Sequence, residues 1–508
     1  MTRVYSNRLS EYSHENGGRV LLLFLLFLLA IYEFATAGFS AFAIVCGLPF
    51  IILYIYAAFK WRMLTFWSLI IINYLIQMKD ISLPVPISLP NEMLQIVLLA
   101  VAIIDARQFP HFERTTNVML LALIIWCGFC TLELLNDTCD LGIDIEAWYT
   151  GARLMAFQIL YTFIVFSIYI SSPEILMRYI KLWALLSLFS VIWVWKQQYL
   201  GFTEDESSWI QGRGQATHIL NAGTLIRYFS TFSDAANYGI NAAATTVAFI
   251  LFGITSKIRW DRIFFILTGL LVFWGMFASG TRTAIFCVAA GFIVYIFLSK
   301  SIKIAVPFSI VFAICAFILI FTDIGNGNQQ VRRMRSAFNK DDASMNVRDI
   351  NKEAIRKYIQ DAPWGIGLGM GYNVPANNKY AKLATIPPDS EYVYIWIRTG
   401  PIGLSIFIIT TLIMLAGACY IVLFRLKSRS LMGIGAGFCC AFVSIQLGGY
   451  ANQVLMQFPN CVIFYGGLSI VYILPFIEPE WIKYEDKILA EQKEKKRLKL
   501  EKKLALRV

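Results

Sequence analysis

Charged side chains are scarce in this chain of 508 residues. Lys, Arg, Asp and Glu make up 15% of the sequence and hydrophobic residues 58%, whereas a soluble domain carries about 25% charged residues. Several apolar runs also exceed the roughly 18 residues that are typical of a membrane-spanning helix. This composition argues against a soluble domain and predicts an all-α polytopic membrane protein.

Motifs for metal binding and nucleophilic catalysis are also missing. The ten cysteines lie almost entirely inside apolar runs, where they are typical of small core residues and not of a disulfide framework. No zinc-site spacing, phosphate-cradling P-loop or Ser/His/Asp triad can be argued. The acids of "DIE" at 144–146 could hold a divalent metal, but two acids in an acidic loop are more typical of a solvated surface. We therefore expect no metal, no other cofactor and no nucleic-acid partner.

The basic residues alternate with the apolar segments in a regular way. Lys and Arg mark the cytoplasmic side of a membrane protein, and here they fall in every second connection and in the C-terminal tail. The opposite connections, 136–150, 201–234 and 323–399, are acidic or mixed. The pattern predicts about 12–14 transmembrane helices with both termini in the cytoplasm. The apolar segments fall near 20–37, 40–59, 63–78, 91–106, 117–135, 152–171, 178–197, 236–255, 263–280, 283–299, 304–322, 400–424, 431–449 and 460–476.

The spans and connections divide the chain into four predicted parts. They are an N-terminal transmembrane bundle (1–322) that includes an outer loop (201–234), a large outer loop with a short helix (323–399), C-terminal transmembrane helices (400–476) and a basic cytoplasmic tail helix (477–508). The lysine-rich tail is typical of a helix near anionic lipid headgroups.

Arg282 is the only charged residue between Ile263 and Ser299. As one helix this stretch would be about 55 Å long, too long for an apolar core of about 30 Å, so the chain must turn near "SGTRT" at the outer face. A charge at the bilayer centre costs at least about 2.5–3.5 kcal/mol, which an outward cavity or an anionic partner offsets. The alternative is an arginine that reaches outer-leaflet headgroups.

The outer loop 201–234 contains a second arginine, Arg227, just before the chain re-enters the membrane. We expect its neighbours to line a substrate cavity; they are Arg213, His218, Asp234 and Asn237. Three of these have structural alternatives. Asp234 and Asn237 are typical helix-capping residues, and a lone histidine such as His218 is more often structural than catalytic.

The large outer loop offers a third arginine and two carboxylates. Arg348 lies in a segment, Asn346–Gln360, whose apolar and charged residues alternate at helical spacing. In "WGIGLGMGY" the glycines occupy alternate positions, which indicates either a close backbone approach to a ligand or membrane or a flexible turn. Asp389 and Glu391 precede the next span, as candidate catalytic bases or as solvated charges at a helix N-terminus.

Together these residues suggest chemistry on a phosphate ester. The arginine guanidinium can form two parallel hydrogen bonds with phosphate oxygens. Arginines at the outer membrane surface therefore indicate a lipid-linked phosphate or diphosphate. They can stabilise the charge that develops on a diphosphate leaving group. A nearby carboxylate can orient or deprotonate an attacking hydroxyl.

Four motifs resemble the O-antigen ligase and polymerase superfamily of bacterial envelope glycosyltransferases. They are "RYFSTFSDAANYG" (227–239), "SGTRTA" (279–284), "DAPWGIGLGMG" (361–371) and "DSEYVYIWIRTGPIGL" (389–404). The resemblance implies a GT-C-like, metal-independent, inverting glycosyltransferase of the bacterial inner membrane. Its donor would be an undecaprenyl-diphosphate-linked glycan at the periplasmic face. It also implies that Arg227, Arg282 and Arg348 bind the diphosphate.

One departure from the family leaves the catalytic base open. The family often has His-Asn eleven residues before the glycine of "GPIGL", where this chain has Asp389 and Ser390. Either Asp389 or Glu391 then takes the role of base, or this member works differently. The acceptor, whether lipid A core, another repeat unit or a protein hydroxyl, also stays open. The alternative function is a transporter or flippase of lipid-linked glycans, although no internal repeat supports it.

Overall fold

The computed structural model describes most of the chain. The described residues are 17–81, 86, 88–104, 112–220, 225–299, isolated positions between 306 and 327, 329–335, 343–369, 374–375 and 377–505. The chain forms two compact units, Met1–Phe66 and Trp67–Val508. All of the site described below lies in the second unit.

The described part of the chain is almost entirely helical. The helices are α1 (Gly17–Lys60), α2 (Arg62–Leu75), α3 (Ser88–Ile104), α4 (Val118–Leu132), α5 (Ile145–Ala152), α6 (Gln158–Tyr169), α7 (Pro173–Tyr199), α8 (Glu204–Gln211), α9 (Gln215–His218), α10 (Ala235–Thr255), α11 (Arg259–Ala278), α12 (Thr283–Leu298), α13 (Gln329–Arg335), α14 (Ala343–Ile359), α15 (Glu391–Tyr420), α16 (Arg429–Ala451) and α17 (Asn460–Ala505). A two-stranded hairpin, β1 (Ile219–Leu220) and β2 (Leu225–Ile226), follows α9. This confirms the all-α fold class.

Eight of the described helical segments are long and apolar enough to cross a membrane, and a ninth results if Ile52–Lys60 and Arg62–Leu75 form one span. The number is lower than the 12–14 spans expected. Two predicted spans correspond to α3 and α12, which are shorter helices. The predicted spans 20–37 and 40–59 correspond to the single helix α1, and most of 304–322 lies outside the described residues. The helix expected at 346–360 is confirmed as α14.

Helices α10 and α16 form the centre of the bundle. Within their apolar windows, 89% and 83% of the residues are buried. α10 packs on α11 and α16, and α16 packs on α12 and α17. Small residues permit these close contacts: a Cβ at Gly448 of α16 would lie 2.2 Å from Ile240 Cγ2 of α10. Small residues at helix interfaces are typical of packing inside membranes.

The loops at the two ends of the bundle differ in character. At one end α10, α12, α15 and α17 begin and α11 and α16 end. We call this the site end. At the opposite end the tail part of α17 is docked on connecting loops. Lys257 Nζ lies 2.9 Å from Glu485 Oε2, and Trp481 Nε1 donates to Ser430 Oγ at 3.0 Å.

Candidate functional site

The β1–β2 hairpin carries Arg227 to the turn between α11 and α12. The strands pair Ile219 with Ile226, and the backbone N–H of Arg227 continues the ladder by donating to His218 O at 2.9 Å. The next residue, Tyr228, donates its N–H to Ala278 O at the end of α11. The loop of Arg227 and the "SGTRT" turn are therefore joined through the backbone.

Three hydrogen bonds hold the Arg227 guanidinium at this turn. Nε donates to Ser279 O at 3.2 Å, Nη1 to Thr217 O at 2.9 Å and Nη2 to Thr281 Oγ1 at 3.0 Å. Thr281 Oγ1 in turn donates to Ala235 O at 2.8 Å, so one hydroxyl both accepts and donates. These bonds fix the plane of the guanidinium before any ligand binds.

Gly280 lets a further arginine approach the same turn. Its φ is +59°, and Arg333 Nε donates to Gly280 O at 2.7 Å. A Cβ at Gly280 would lie 3.2 Å from Arg333 Cδ and 3.4 Å from Arg227 Cγ. The two arginine side chains therefore flank this glycine. The sequence reasoning had not singled out Arg333. The signal was available in "QQVRRMR", where three basic residues oppose the charge rule in a predicted outer loop.

Four guanidiniums lie near enough to influence one another's charge. Burial, opposed by Asp234 and assisted by Arg282 and Arg348, lowers the pKa of Arg227 to about 10. Burial, together with Arg227 and Arg282, lowers the pKa of Arg333 to about 10 as well. Arg282 has a lowered pKa from burial and from Arg348. The structure thus brings together the three arginines that the sequence indicated and adds Arg333; we call these four the arginine cluster.

The position of Arg282 at the start of α12 adds to the positive electrostatic potential of the arginine cluster. Arg282 directly precedes the first residue of α12, and the N-terminus of a helix carries a partial positive charge. Such a position suits an anion. The turn of small residues thus combines a positive helix end with four guanidiniums, an arrangement that favours an anion.

Asp389 is tied to the helix that carries Arg348. Asn351 Nδ2, one turn along α14 from Arg348, donates to Asp389 Oδ2 at 2.8 Å. Asp389 is half-buried and has a φ of +51°, which is uncommon for a residue other than glycine. Strained backbone of this kind is often found at functional sites.

Glu391 has a different environment from Asp389. Its side chain is 3% exposed, and Oε2 accepts a hydrogen bond from Leu455 N at 3.0 Å. Leu455 lies in the connection between α16 and α17. This contact suits a residue that holds a connection in place.

His218 is buried under Trp209 and Phe229, whose rings lie edge-on at 4.8 and 5.7 Å from the imidazole. Its Nε2 accepts from Ala235 N at 3.0 Å, at the N-terminus of α10. Burial lowers the pKa of His218 to about 4, with a further contribution from Arg227. The imidazole is therefore neutral and serves as a helix-capping acceptor.

We predict that this histidine makes the fold acid-sensitive. The unfolded chain takes up the proton near pH 6.5 and the folded chain only near pH 4, so stability is complete above pH 6.5 and decreases as the pH falls through this interval. The expected slope is about 1.4 kcal/mol per pH unit for one proton. His218→Gln retains an acceptor and cannot titrate, so its melting temperature should depend less on pH. An identical pH dependence in both proteins would contradict the prediction.

The other predicted cavity residues have structural contacts. Asp234 caps α10, with Oδ1 accepting from Ala236 N at 2.8 Å and Asn237 N at 2.9 Å. Asn237 is buried and donates to Phe458 O at 3.1 Å. Arg213 is exposed on the turn between α8 and α9. Lys79, which the sequence did not indicate, donates to Ser233 O at 2.7 Å and lies 4.0 Å above the Trp209 ring.

The glycine-rich segment packs on the protein's own backbone. Ile366 N donates to Ile397 O at 2.9 Å and Gly367 N to Arg398 O at 3.0 Å. A Cβ at Gly365 would lie 2.4 Å from Gly400 N. α15 is broken at Gly400, where φ is +65°. The close approach anticipated for these glycines is therefore made to the first part of α15.

Gly280 provides a direct test of the turn. Alanine at φ +59° is expected to cost about 1–2 kcal/mol in stability, and its Cβ displaces Arg333 and Arg227. We predict that Gly280→Ala lowers both melting temperature and turnover. The matched control is Gly142→Ala: its φ is +77° but its Cβ would meet nothing within 4 Å. Equal turnover in the two variants would contradict a role for Gly280 in placing the arginines.

A model of the O-antigen ligase family matches residues 267–408. That range includes Arg282, Arg333, Arg348, Asp389 and Glu391, whereas Arg227 and its hairpin precede it. No curated protein matches the chain. Residues 267–408 of this multi-pass membrane protein are an O-antigen ligase family domain.

Proposed function

We propose that the arginine cluster binds the diphosphate of an undecaprenyl-diphosphate-linked glycan and that the protein transfers or polymerises this glycan. The observation that carries the proposal is that Arg227 and Arg333, from two separate segments, both donate to the turn that precedes Arg282. Arg348, from a further segment, lies near enough to lower the pKa of Arg227 and Arg282. Like charges repel, and the single carboxylate of Asp234 offsets only part of this repulsion, so an anion that several guanidiniums share would stabilise the cluster. A diphosphate is such an anion, and the family acts on lipid-linked glycans.

The cluster supports an inverting transfer with the following steps. An acceptor hydroxyl attacks the anomeric carbon on the side opposite the diphosphate, the bond from that carbon to the phosphate oxygen breaks, and the electron pair stays on the diphosphate. The arginines stabilise the charge that develops on this leaving group. The proton of the hydroxyl passes to a carboxylate. No nucleotide sugar and no metal takes part in these steps.

We assign the base role to Asp389. Its half-buried carboxylate lies beside α14, the helix of Arg348, through Asn351. Glu391 instead contacts the α16–α17 connection. A base must reach the acceptor hydroxyl, and proximity to the diphosphate end of the donor favours Asp389.

The orientation in the membrane forms part of the proposal. From the basic connections we infer that the end with Lys257 and the docked tail lies in the cytoplasm and that the site end lies in the periplasm of the inner membrane. A cysteine introduced at the exposed Lys382 should react in intact spheroplasts with a maleimide that cannot cross membranes. A cysteine at Lys483 should react only after lysis. The reverse pattern would place the arginine cluster in the cytoplasm.

The experiment that tests the function is reconstitution. Purified protein is supplied with a polyprenyl-diphosphate oligosaccharide and either lipid A core, a second donor or a serine-containing protein. A single addition to lipid A core identifies a ligase, and a ladder of products identifies a polymerase. Movement of intact donor across liposomes without any product would favour the transporter alternative.

A further inference from the structure

A second polar cluster lies inside the helix bundle, between α3 and the α5–α6 segment. Glu92 of α3 is 4% exposed, and its carboxylate meets Arg153 Nη1 at 3.4 Å and Gln158 Nε2 at 3.2 Å. Ionisable residues within membrane segments are rare, and they commonly mark functional sites. The reaction proposed above does not use this pair.

A local distortion of the helix directs these two side chains to one carboxylate. Between α5 and α6 the chain forms a π-helical turn, Arg153–Phe157, and Gln158 N donates to Arg153 O. In a π turn residues five apart lie on the same side, so Arg153 and Gln158 both face Glu92. Single π turns occur often at functional sites.

Further buried amides extend the cluster on both sides. Gln95 Nε2 donates to Thr162 Oγ1 at 2.9 Å, and Asn73 Nδ2 donates to Asn91 Oδ1 at 2.9 Å. Asn91 and Gln95 are both 0% exposed. Polar side chains of α3 therefore pair with α2 through Asn73 and with α6 through Thr162.

Several atoms of this group lack a hydrogen-bond partner among the described residues. Two are donors, Arg153 Nε and Asn91 Nδ2, and three are acceptors, Asn73 Oδ1, Gln95 Oε1 and Gln158 Oε1. Buried polar atoms are nearly always satisfied. Here the unsatisfied set contains both kinds of atom, on neighbouring turns of α3 and of the α5–α6 segment, and the Arg153 charge is already balanced by Glu92. The missing partner should thus be neutral and both donate and accept.

We propose that this cluster is a binding subsite for the hydroxyl groups of a saccharide. The proposal rests on the proposed function, in which the lipid-linked glycan supplies that saccharide. A sugar hydroxyl can accept from Arg153 Nε or Asn91 Nδ2 and donate to Gln95 Oε1 or Gln158 Oε1. The Arg153 side chain is 13% exposed, so the cluster reaches the protein surface. One turn nearer the site end, Tyr149 and Trp148 offer aromatic faces of the kind on which sugar rings pack, with ring centroids 6.4 Å apart.

Direct binding of a saccharide tests the subsite without glycan transfer. The probe is the oligosaccharide released from the lipid donor by mild acid, which carries neither lipid nor diphosphate. Its binding to the full-length protein in detergent is measured by calorimetry, and melting temperatures are recorded in parallel. We expect Gln95→Leu and Gln158→Leu to weaken binding about tenfold, as the loss of hydrogen bonds to a buried group would.

Control variants separate this proposal from the proposed function and from a general loss of stability. Arg227→Ala should retain oligosaccharide binding even though it removes a diphosphate contact. Ser444→Ala, which removes a buried hydrogen bond to Cys287 O elsewhere in the bundle, should also retain it. Absence of binding to the parent protein would overturn the subsite. So would unchanged binding with a raised melting temperature in the leucine variants, because ordered water would then be the ligand.

Discussion

Arg227→Ala and Arg282→Ala should each lower the rate of glycan transfer at saturating donor by at least about a hundredfold. Removing one preorganised donor to a developing anion typically costs about 10²–10³ in kcat. Both guanidiniums belong to the same cluster. They approach the turn from different positions, so we expect that neither can replace the other. The measurement is product formation by purified protein from a polyprenyl-diphosphate oligosaccharide, with the melting temperature recorded for each variant.

Two further variants make this result specific to the cluster. Arg213→Ala removes a cation from an exposed turn of the same outer loop, and its rate should equal that of the parent protein. Arg282→Lys keeps the charge but loses the forked geometry, so it should recover only part of the rate. Full activity in Arg227→Ala and Arg282→Ala, with the donor confirmed as bound, would refute the proposed diphosphate site.

Asp389→Asn should lower kcat by about 10²–10⁴ because the acceptor hydroxyl loses its proton acceptor. The amide is nearly isosteric and can still accept the hydrogen bond from Asn351 Nδ2. The KM for the donor should therefore change little. Steady-state rates at varied donor concentration separate the two constants.

The paired control for Asp389 is Glu391→Gln. The Glu391 carboxylate holds Leu455 N in a buried contact, so we expect this variant to lower the melting temperature more than the rate at a permissive temperature. A large loss of kcat in Glu391→Gln, together with a normal rate in Asp389→Asn, would transfer the base role to Glu391.

Hydropathy and charge were sufficient to predict the helical fold and the turn at Arg282. The predicted segments 236–255 and 263–280 agree closely with α10 and α11, because buried spans are uniformly apolar. The break in α15 was harder to foresee. Glu391 and the residues that follow form helix before Gly400, although the sequence places a loop there. The carbonyls of Ile397 and Arg398 at this break bond to the glycine-rich segment, a tertiary contact that no local pattern encodes.

The candidate site was predictable in part. Arg227, Arg282 and Arg348 each opposed a rule of charge placement, and the structure brings them together. Arg333 lay in a run of basic residues, and only the fold shows which of them approaches Gly280. His218 and Asp234 could not be assigned from sequence because capping and substrate contact use the same residue types. The contact of His218 with the N-terminus of α10 depends on how the hairpin folds back, whereas the Asp234 cap is local.

The crowding of like charges in the arginine cluster has a consequence for handling the protein. A ligand that binds only the folded form stabilises it in proportion to the logarithm of its concentration relative to Kd, and here it would also relieve mutual repulsion. Protein extracted from cells that are depleted of carrier lipid should therefore be less stable than protein extracted from cells that contain it. Adding a short-chain polyprenyl diphosphate during solubilisation should extend its working lifetime.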